Sequence, residues 1–202
     1  MTIAVIAAEN AFDTLKSMAP ALTWKPIADL SSIEEANALF CLDDGADERD
    51  YRGIDIPVFI HSLVKPLQQI RQSGSVVRIN AWTGFLNRAL WEVAGPLSSG
   101  HVDVLVALSR TYKQVPDEPG FVAARVIAMI INEAYMALEE GVSSKADIDI
   151  AMKLGTNYPM GPFEWADSVG IASVYQLLYT LSLTDERYTP ANALKAAATA
   201  HD

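Results

Sequence analysis

Short apolar, β-prone runs punctuate the first half of the chain: Ile3 to Ala7, Ala38 to Leu42, Pro57 to Ile60, and Val76 to Trp82. The segments between the first two are polar or helix-like. Ala11 to Met18 carries its apolar residues at helical spacing, and Ser31 to Ala36 opens on a serine suited to cap a helix, followed by Glu34 and Glu35. Strand runs that alternate with helical or polar segments are the pattern of a parallel sheet with crossovers. The run Leu39-Phe40-Cys41-Leu42 stops at Asp43-Asp44-Gly45, a turn signal. Further on, Val102, Leu105, Val106 and Leu108 fall at helical spacing between Gly100 and Thr111.

Asp117-Glu118-Pro119-Gly120 breaks the pattern, because two prolines and a glycine close together forbid a helix across the segment. This predicts two domains, 1–117 and 118–202, an α/β layer followed by an all-α one. Phe121 to Glu140 contains no Pro or Gly and is apolar on nearly every face, as in the centre of a helical bundle or a subunit interface. A helix so apolar in so small a domain predicts a homodimer formed through the C-terminal helices. Gly141 supplies a left-handed stop. Ser144, with Asp147 after it, caps a helix expected to run to Leu154 and stop at Gly155. Pro159-Met160-Gly161-Pro162 makes a rigid turn. Phe163 to Val169 and Ile171 to Leu183 read as helices divided by Gly170, the second with Val174, Leu177, Leu178 and Leu181 on one face, and the Ala-rich stretch from Ala191 to Ala200 as a fraying last helix.

Half of the 202 residues are hydrophobic, enough for one sizeable core or two small ones, and disorder is excluded as a description of the whole. A formal net charge of −10, with no basic cluster, excludes a nucleic-acid grip. Cys41 is the only cysteine, so neither an intrachain disulfide nor a cysteine-based metal site can form, and it reads as a small core residue. The opening Met1-Thr2-Ile3-Ala4-Val5 has no signal-type segment and no apolar run is long enough for a membrane span, which predicts a cytoplasmic protein without membrane partners.

One string is more specific than any composition. Pro119-Gly120-Phe121-Val122-Ala123-Ala124-Arg125, Asn132-Glu133-Ala134, Glu139-Glu140-Gly141-Val142, Asp147-Ile148-Asp149, Ala151-Met152-Lys153-Leu154-Gly155, Tyr158-Pro159-Met160-Gly161-Pro162-Phe163-Glu164 and Arg187-Tyr188-Thr189-Pro190 together resemble the C-terminal domain of 3-hydroxyacyl-CoA dehydrogenases. The first half resembles, more by order and spacing than by identity, the nucleotide-binding domain of the same family. Ala36 to Asp43, Ile60-His61-Ser62-Leu63, Arg78 to Gly84 and Leu90-Trp91-Glu92-Val93 fall where the family has its later strands. The resemblance implies a truncated Rossmann-like parallel sheet followed by a helical 3-hydroxyacyl-CoA dehydrogenase C-terminal-like domain, fatty-acid metabolism, and an acyl-CoA-like small molecule as ligand. The acidity of the chain disfavours that anionic ligand unless local cations or helix N-termini offset it.

Against that resemblance the residues have lost chemistry. A dinucleotide-binding turn needs glycines for a tight bend and a close approach to the pyrophosphate. Here the first strand leads to Ala7-Ala8-Glu9-Asn10-Ala11, with no glycine and a carboxylate where phosphates would sit. Roughly 30 residues to the next strand also read as too few for a further βαβ unit with a ribose-binding acid. No cofactor is therefore expected, with NAD the only candidate. The family's general-base histidine falls at Asn80, whose amide cannot take a proton near neutrality. Its substrate-binding asparagine falls at Ala124, its serine at His61, and its orienting acid survives as Glu92. Two readings follow: a degenerate, non-catalytic binding or regulatory protein, or an oxidoreductase acting on a 3-hydroxyacyl-CoA or related hydroxy acid with His61 and Glu92 as relocated acid–base groups. The plainer reading of His61 is a structural strand-end residue, and of Glu92 a surface or capping carboxylate. His101 reads as an exposed helix start, His201 as part of a loose end, and Trp82, Trp91, Trp165 and Tyr158 as cleft-lining or core aromatics. Asn157, Met160 and Glu164 read as architectural.

Overall fold

A computed structural model describes residues 1–72 and 74–200. The chain divides into two compact units, Met1–Phe121 and Val122–Asp202, with the division just beyond the break expected at Asp117. His201 lies outside the described residues.

The first unit is a sheet in the order β2-β1-β3-β4-β5-β6-β7. Its elements are β1 (Thr2–Ile6), α1 (Glu9–Met18), β2 (Thr23–Pro26), β3 (Ala38–Cys41), β4 (Val58–His61), β5 (Val76–Ile79), β6 (Leu90–Ala94), α2 (Ser99–Ala107) and β7 (Thr111–Val115). All neighbours are parallel except β5 and β6. The apolar runs form the central strands because only a sheet covered on both faces hides such residues completely. Successive side chains alternate between two cores. One contains Phe40, Phe59, Val77, Ile79 and Val93 under α1 and α2, with Phe40 stacked on Phe59 at 4.6 Å. The other contains Leu39, Cys41, Val58, Ile60 and Val76. Among the described residues Leu30, Ile33, Ala46, Tyr51, Leu67 and Ile70 cover this second core from loops and single 3-10 turns. Tyr51 is fully buried there and donates its hydroxyl hydrogen to the Ala46 carbonyl at 2.6 Å.

Several elements differ from the sequence pattern. Edge strands β2 and β7 are mostly exposed, so they carry no apolar signature. With α1, β2 completes a βαβ unit inside an interval that reads as too short for one; a ten-residue helix and a four-residue edge strand fit it in. Ser31 to Ala36 is not an α-helix. Asp29 caps a single 3-10 turn over Leu30–Ser32, and Glu35, at φ 64°, turns the chain away.

Arg78, at the end of β5, is completely buried. Its Nε donates to Asp117 at 2.7 Å, Nη1 donates to the Ser62 and Lys65 carbonyls at 2.9 and 3.0 Å, and Nη2 donates to the Glu118 carbonyl at 2.8 Å. The other Asp117 oxygen accepts from the Leu67 amide at 2.8 Å, and the Phe121 ring lies 4.9 Å from the guanidinium. A buried cation with four of its five N–H donors bonded thus fastens the 117–121 segment to the sheet.

The second unit is helical: α3 (Ala123–Glu139), α4 (Lys145–Thr156), α5 (Pro162–Val169), α6 (Ile171–Ser182) and α7 (Asn192–Thr199). Ala124, Ile127, Ala128, Ile131, Ala134 and Tyr135 make the buried stripe of α3, which packs against α5, α6 and α7. Gly141 ends that segment at φ 68°, as its sequence implies. The Ser144 cap also forms, accepting from the Asp147 amide. Two expectations need correction. Helix α4 runs through Gly155 and ends on Asn157 at φ 56°, because Asn tolerates the left-handed cap. And α7 is docked rather than frayed, with Leu194 and Ala198 buried. Among the described residues no helix is long and apolar enough to cross a membrane.

Removing the Asp117 carboxylate leaves the Arg78 cation buried against neutral carbonyls alone. Asp117→Ala is expected to destabilise the first unit by about 3 kcal/mol, read as a lower urea midpoint with an unchanged slope.

Candidate functional site

In an open, mostly parallel sheet, ligands bind beyond the carboxyl ends of the strands, where the strand order reverses. Here that point lies between β1 and β3. Beyond β1 the chain passes through Ala7 and Ala8 straight into α1, whose first residue is Glu9 and whose N-cap, Ala8, offers no side-chain hydrogen bond. Beyond β3 come Asp43 and Asp44. The cations in this loop region are held by carboxylates: Arg49 pairs with both Asp43 oxygens at 2.6 Å, and Lys65 reaches Asp47 at 3.0 Å and Glu48 at 3.4 Å. Arg49 is raised above its ordinary pKa first by its bond to Asp43, and Lys65 likewise by its bond to Asp47. A pyrophosphate placed here would meet the Glu9 carboxylate and would have to break these pairs, with no glycine to let the backbone come close. The residues do not fit NAD in the family's usual pose.

His61, the last residue of β4, sits in register with Ile79 of β5, which in turn sits opposite Val93 of β6. It is half-buried, and its Nδ1 accepts from the Ala81 amide at 3.1 Å. Desolvation pulls its pKa below the ordinary value, against weaker upward pushes from a hydrogen bond to the Ile79 backbone and from Asp44 and Asp47. Glu92 neighbours Val93 on β6, so pleating turns it to the opposite face of the sheet from His61. The structure does not bring His61 and Glu92 together. The carboxylates that act on His61 are Asp44 and Asp47.

Continuing the β5–β6 register by one step sets Asn80 opposite Glu92. Asn80 is 8% exposed; its Oδ1 accepts from the Trp82 amide at 3.1 Å, while its buried Nδ2 has no hydrogen-bond partner among the described residues. An orphaned donor of this kind costs about 1 to 3 kcal/mol. Beside His61, Ser62 is buried and donates to the Lys65 carbonyl at 2.8 Å. Arg49 and Lys65 carry no signal in the sequence, because nothing in local spacing announces ion pairs that loop geometry creates.

His101 is not exposed: none of its surface reaches solvent. Its Nε2 lies 3.0 Å from the Ser75 carbonyl, which requires a proton on that nitrogen, and Nδ1 accepts from Ser98. The ring packs edge-on to Phe59 at 5.2 Å, and desolvation lowers its pKa. It braces α2 against β4 and β5. The signal was present as a Ser98-to-His101 spacing, a capping box with an unusual partner.

In the helical unit Ala124 is fully buried and has no polar group to offer a substrate. The family-like turn is architectural. Asp149 accepts from the amides of Phe163 at 2.8 Å and Glu164 at 3.3 Å, capping α5. A Cβ at Gly161 would fall 2.2 Å from the Asp149 carboxylate, so only glycine fits. Glu164 accepts from the Gly161 amide and pairs with Lys153, and that Lys153 bond, first, lowers its pKa. Asn132 bridges the chain between η3 (Glu186–Tyr188) and α7, donating to the Thr189 carbonyl at 2.9 Å and accepting from the Ala191 amide at 2.8 Å. Trp82, Trp91 and Trp165 are buried in their own units, and Tyr158 lies against Trp165. A groove of about 520 Å³ runs along α3 and α4; Met129, Ile130, Ile148 and Met152 line it, with Arg125 and Glu133 as its charged members. Among the described residues no cluster of His, Cys, Asp and Glu could hold a metal.

Residues 120–202 match the family model described as 3-hydroxyacyl-CoA dehydrogenase, C-terminal domain. The helical unit is similar to the C-terminal domain of 3-hydroxyacyl-CoA dehydrogenases. The chain is 46% identical over 88 residues to the 3-hydroxyadipyl-CoA dehydrogenase of Escherichia coli, a match covering 43% of this chain and 18% of that protein. It is 39% identical over 105 residues to the 3-hydroxybutyryl-CoA dehydrogenase of Clostridioides difficile, covering 48% and 37%. The matched stretch thus spans well under half the length of these relatives. Among solved structures, the (S)-3-hydroxybutyryl-CoA dehydrogenase of Ralstonia eutropha aligns with 99% of this chain and 94% of its own at a TM-score of 0.75 and 18% identity. The fold is therefore shared across both units, and the sequence likeness is concentrated in the helical unit.

Burial holds the folded pKa of His61 and His101 below the ordinary 6.5 they regain on unfolding. The unfolded chain therefore takes up more protons as the pH falls past 6.5, and the stability these neutral imidazoles contribute, fully present above that value, is lost toward lower pH. Urea midpoints between about pH 7 and about pH 5.5 should show this fall, and His101→Asn should flatten it by about 1 kcal/mol over that interval.

Proposed function

We propose that this protein is a degenerate 3-hydroxyacyl-CoA dehydrogenase-like protein that binds an acyl-CoA-like small molecule, without catalysing hydride transfer, as a cytoplasmic homodimer in fatty-acid metabolism. One observation carries this reading: Asn80, opposite Glu92, stands where the family has its general base. The amide oxygen there accepts from the Trp82 backbone N–H, and an amide cannot take up a proton near neutral pH. The crevice electrostatics support it, since Glu9 and the paired Asp43 and Asp47 occupy the ground a dinucleotide would need.

The second reading is an oxidoreductase on a 3-hydroxyacyl-CoA or related hydroxy acid, favoured by relatives that are themselves named dehydrogenases. With His61 and Glu92 on opposite faces of the sheet, that reading has to find its base elsewhere. Its pair, as envisaged, does not have the hydrogen-bond reach that acid–base work demands.

Two measurements on the purified chain separate the readings. Titration with acetoacetyl-CoA should quench tryptophan fluorescence saturably, whereas NADH should leave it unchanged. In a coupled assay with 3-hydroxyacyl-CoAs and NAD, NADH should not accumulate above the protein-free blank. Steady NADH formation would overturn the non-catalytic reading.

A further inference from the structure

Strand β6 runs antiparallel to β5, so its first residue, Leu90, lies beyond the carboxyl end of β5, and β7 starts beside it with Thr111 opposite Leu90. Arg88 and Arg110, which lead into these two strands, therefore stand at the same end of the sheet as the crevice. The backbone holds them side by side. Thr111 donates from its amide and from its hydroxyl to the Ala89 carbonyl, both at 2.9 Å, and Arg110 Nη1 donates to the Arg88 carbonyl at 3.3 Å. Arg88 is exposed, and its guanidinium lies over the Phe85 ring, 4.1 Å from the ring centre. A guanidinium held by its face keeps its in-plane N–H groups for other acceptors.

Arg49, Arg52, Arg78 and Arg187 each meet a carboxylate. Among the described residues Arg88 and Arg110 meet none, in a chain with 25 acidic residues against 15 basic ones, and the enclosed Nε of Arg110 has no hydrogen-bond partner. Two neighbouring cations repel each other unless an anion lies against both. We propose that Arg88 and Arg110 bind a phosphate ester, and that the ester is a phosphate of the acyl-CoA-like ligand. The second clause rests on the reading of the preceding section. A tetrahedral phosphate presents oxygens in several directions and can accept from both guanidiniums, whereas a carboxylate is occupied by one bidentate arginine. Glu9, Asp43 and Asp47 repel the same group from the region of β1 and β3, so the two arginines supply the local cations that an acidic chain needs to hold an anionic ligand.

The test is isothermal titration calorimetry of the full chain at low ionic strength with three probes. Acetoacetyl-CoA carries thioester and phosphates, acetoacetyl-pantetheine the thioester alone, and adenosine 3′,5′-bisphosphate the phosphates alone. Wild type is compared with Arg88→Gln and Arg110→Gln, and circular dichroism melts verify folding; Arg88→Gln, at an exposed position, decides the matter if Arg110→Gln does not fold. Each variant should weaken acetoacetyl-CoA and the bisphosphate about tenfold and leave acetoacetyl-pantetheine within about twofold of wild type. Bisphosphate binding that is indifferent to both substitutions, or no bisphosphate binding by wild type, would overturn the arginine site, and saturable acetoacetyl-pantetheine binding would then leave the ligand reading standing. Arginine-dependent bisphosphate binding without a response to either thioester would overturn the acyl-CoA-like ligand and leave the phosphate-ester site.

Discussion

Side chains on a pleated strand must alternate between faces, and hydrogen-bonded register carries that alternation across every neighbour. In this sheet the constraint sorts Phe40, Phe59 and Val77 into the core under α1 and α2, and Leu39, Val58 and Val76 into the core under the loops. It also separates polar side chains. His61, Ile79 and Val93 share one face, whereas Arg78, Asn80 and Glu92 share the other. A single-residue offset between strands is enough to keep an imidazole and a carboxylate apart when both sit on adjoining parts of the same sheet.

The face that carries Arg78 is also the one that, among the described residues of the first unit, loops and 3-10 turns cover, and the two facts are connected. Loops and 3-10 turns cover Leu39, Ile60 and Val76 well enough to bury them, but loops bring unpaired carbonyls that a helix would have satisfied internally. Arg78 answers three of these, from Ser62, Lys65 and Glu118, while Asp117 neutralises its charge and takes the Leu67 amide. A guanidinium suits this position because its donors fan out in a plane, and no other side chain reaches so many acceptors at once. The same loops carry Asp43, Asp47, Arg49 and Lys65, whose mutual pairing makes the carboxyl end of the sheet self-satisfied and acidic, a poor host for a dinucleotide phosphate.

The helical unit is held differently. Its apolar stripe on α3 gives the burial, and a few buried polar groups set chain direction: Asp149 at the start of α5, and Asn132 at the approach to α7. Each spends its hydrogen bonds on backbone amides and carbonyls, which is why such residues persist inside an otherwise apolar bundle. Sequence likeness to named 3-hydroxyacyl-CoA dehydrogenases is concentrated in this unit.

Read alone, the chain determined the elements whose signal is local: the four central strands, the long helix α3 with its Gly141 stop, the Ser144 cap, and the turn at Pro159 to Pro162. Side-chain identity is equally local: that Asn80 is an amide, Ala124 apolar and Glu9 a carboxylate is legible without any fold. Only the tertiary structure decided what depends on partners distant in sequence. Edge strands β2 and β7 are polar and are recognised only by what they pair with. His101 is buried because Ser75 and Phe59 come to it from other strands. And whether His61 and Glu92 could act together was a matter of sheet register, which no spacing along the chain encodes.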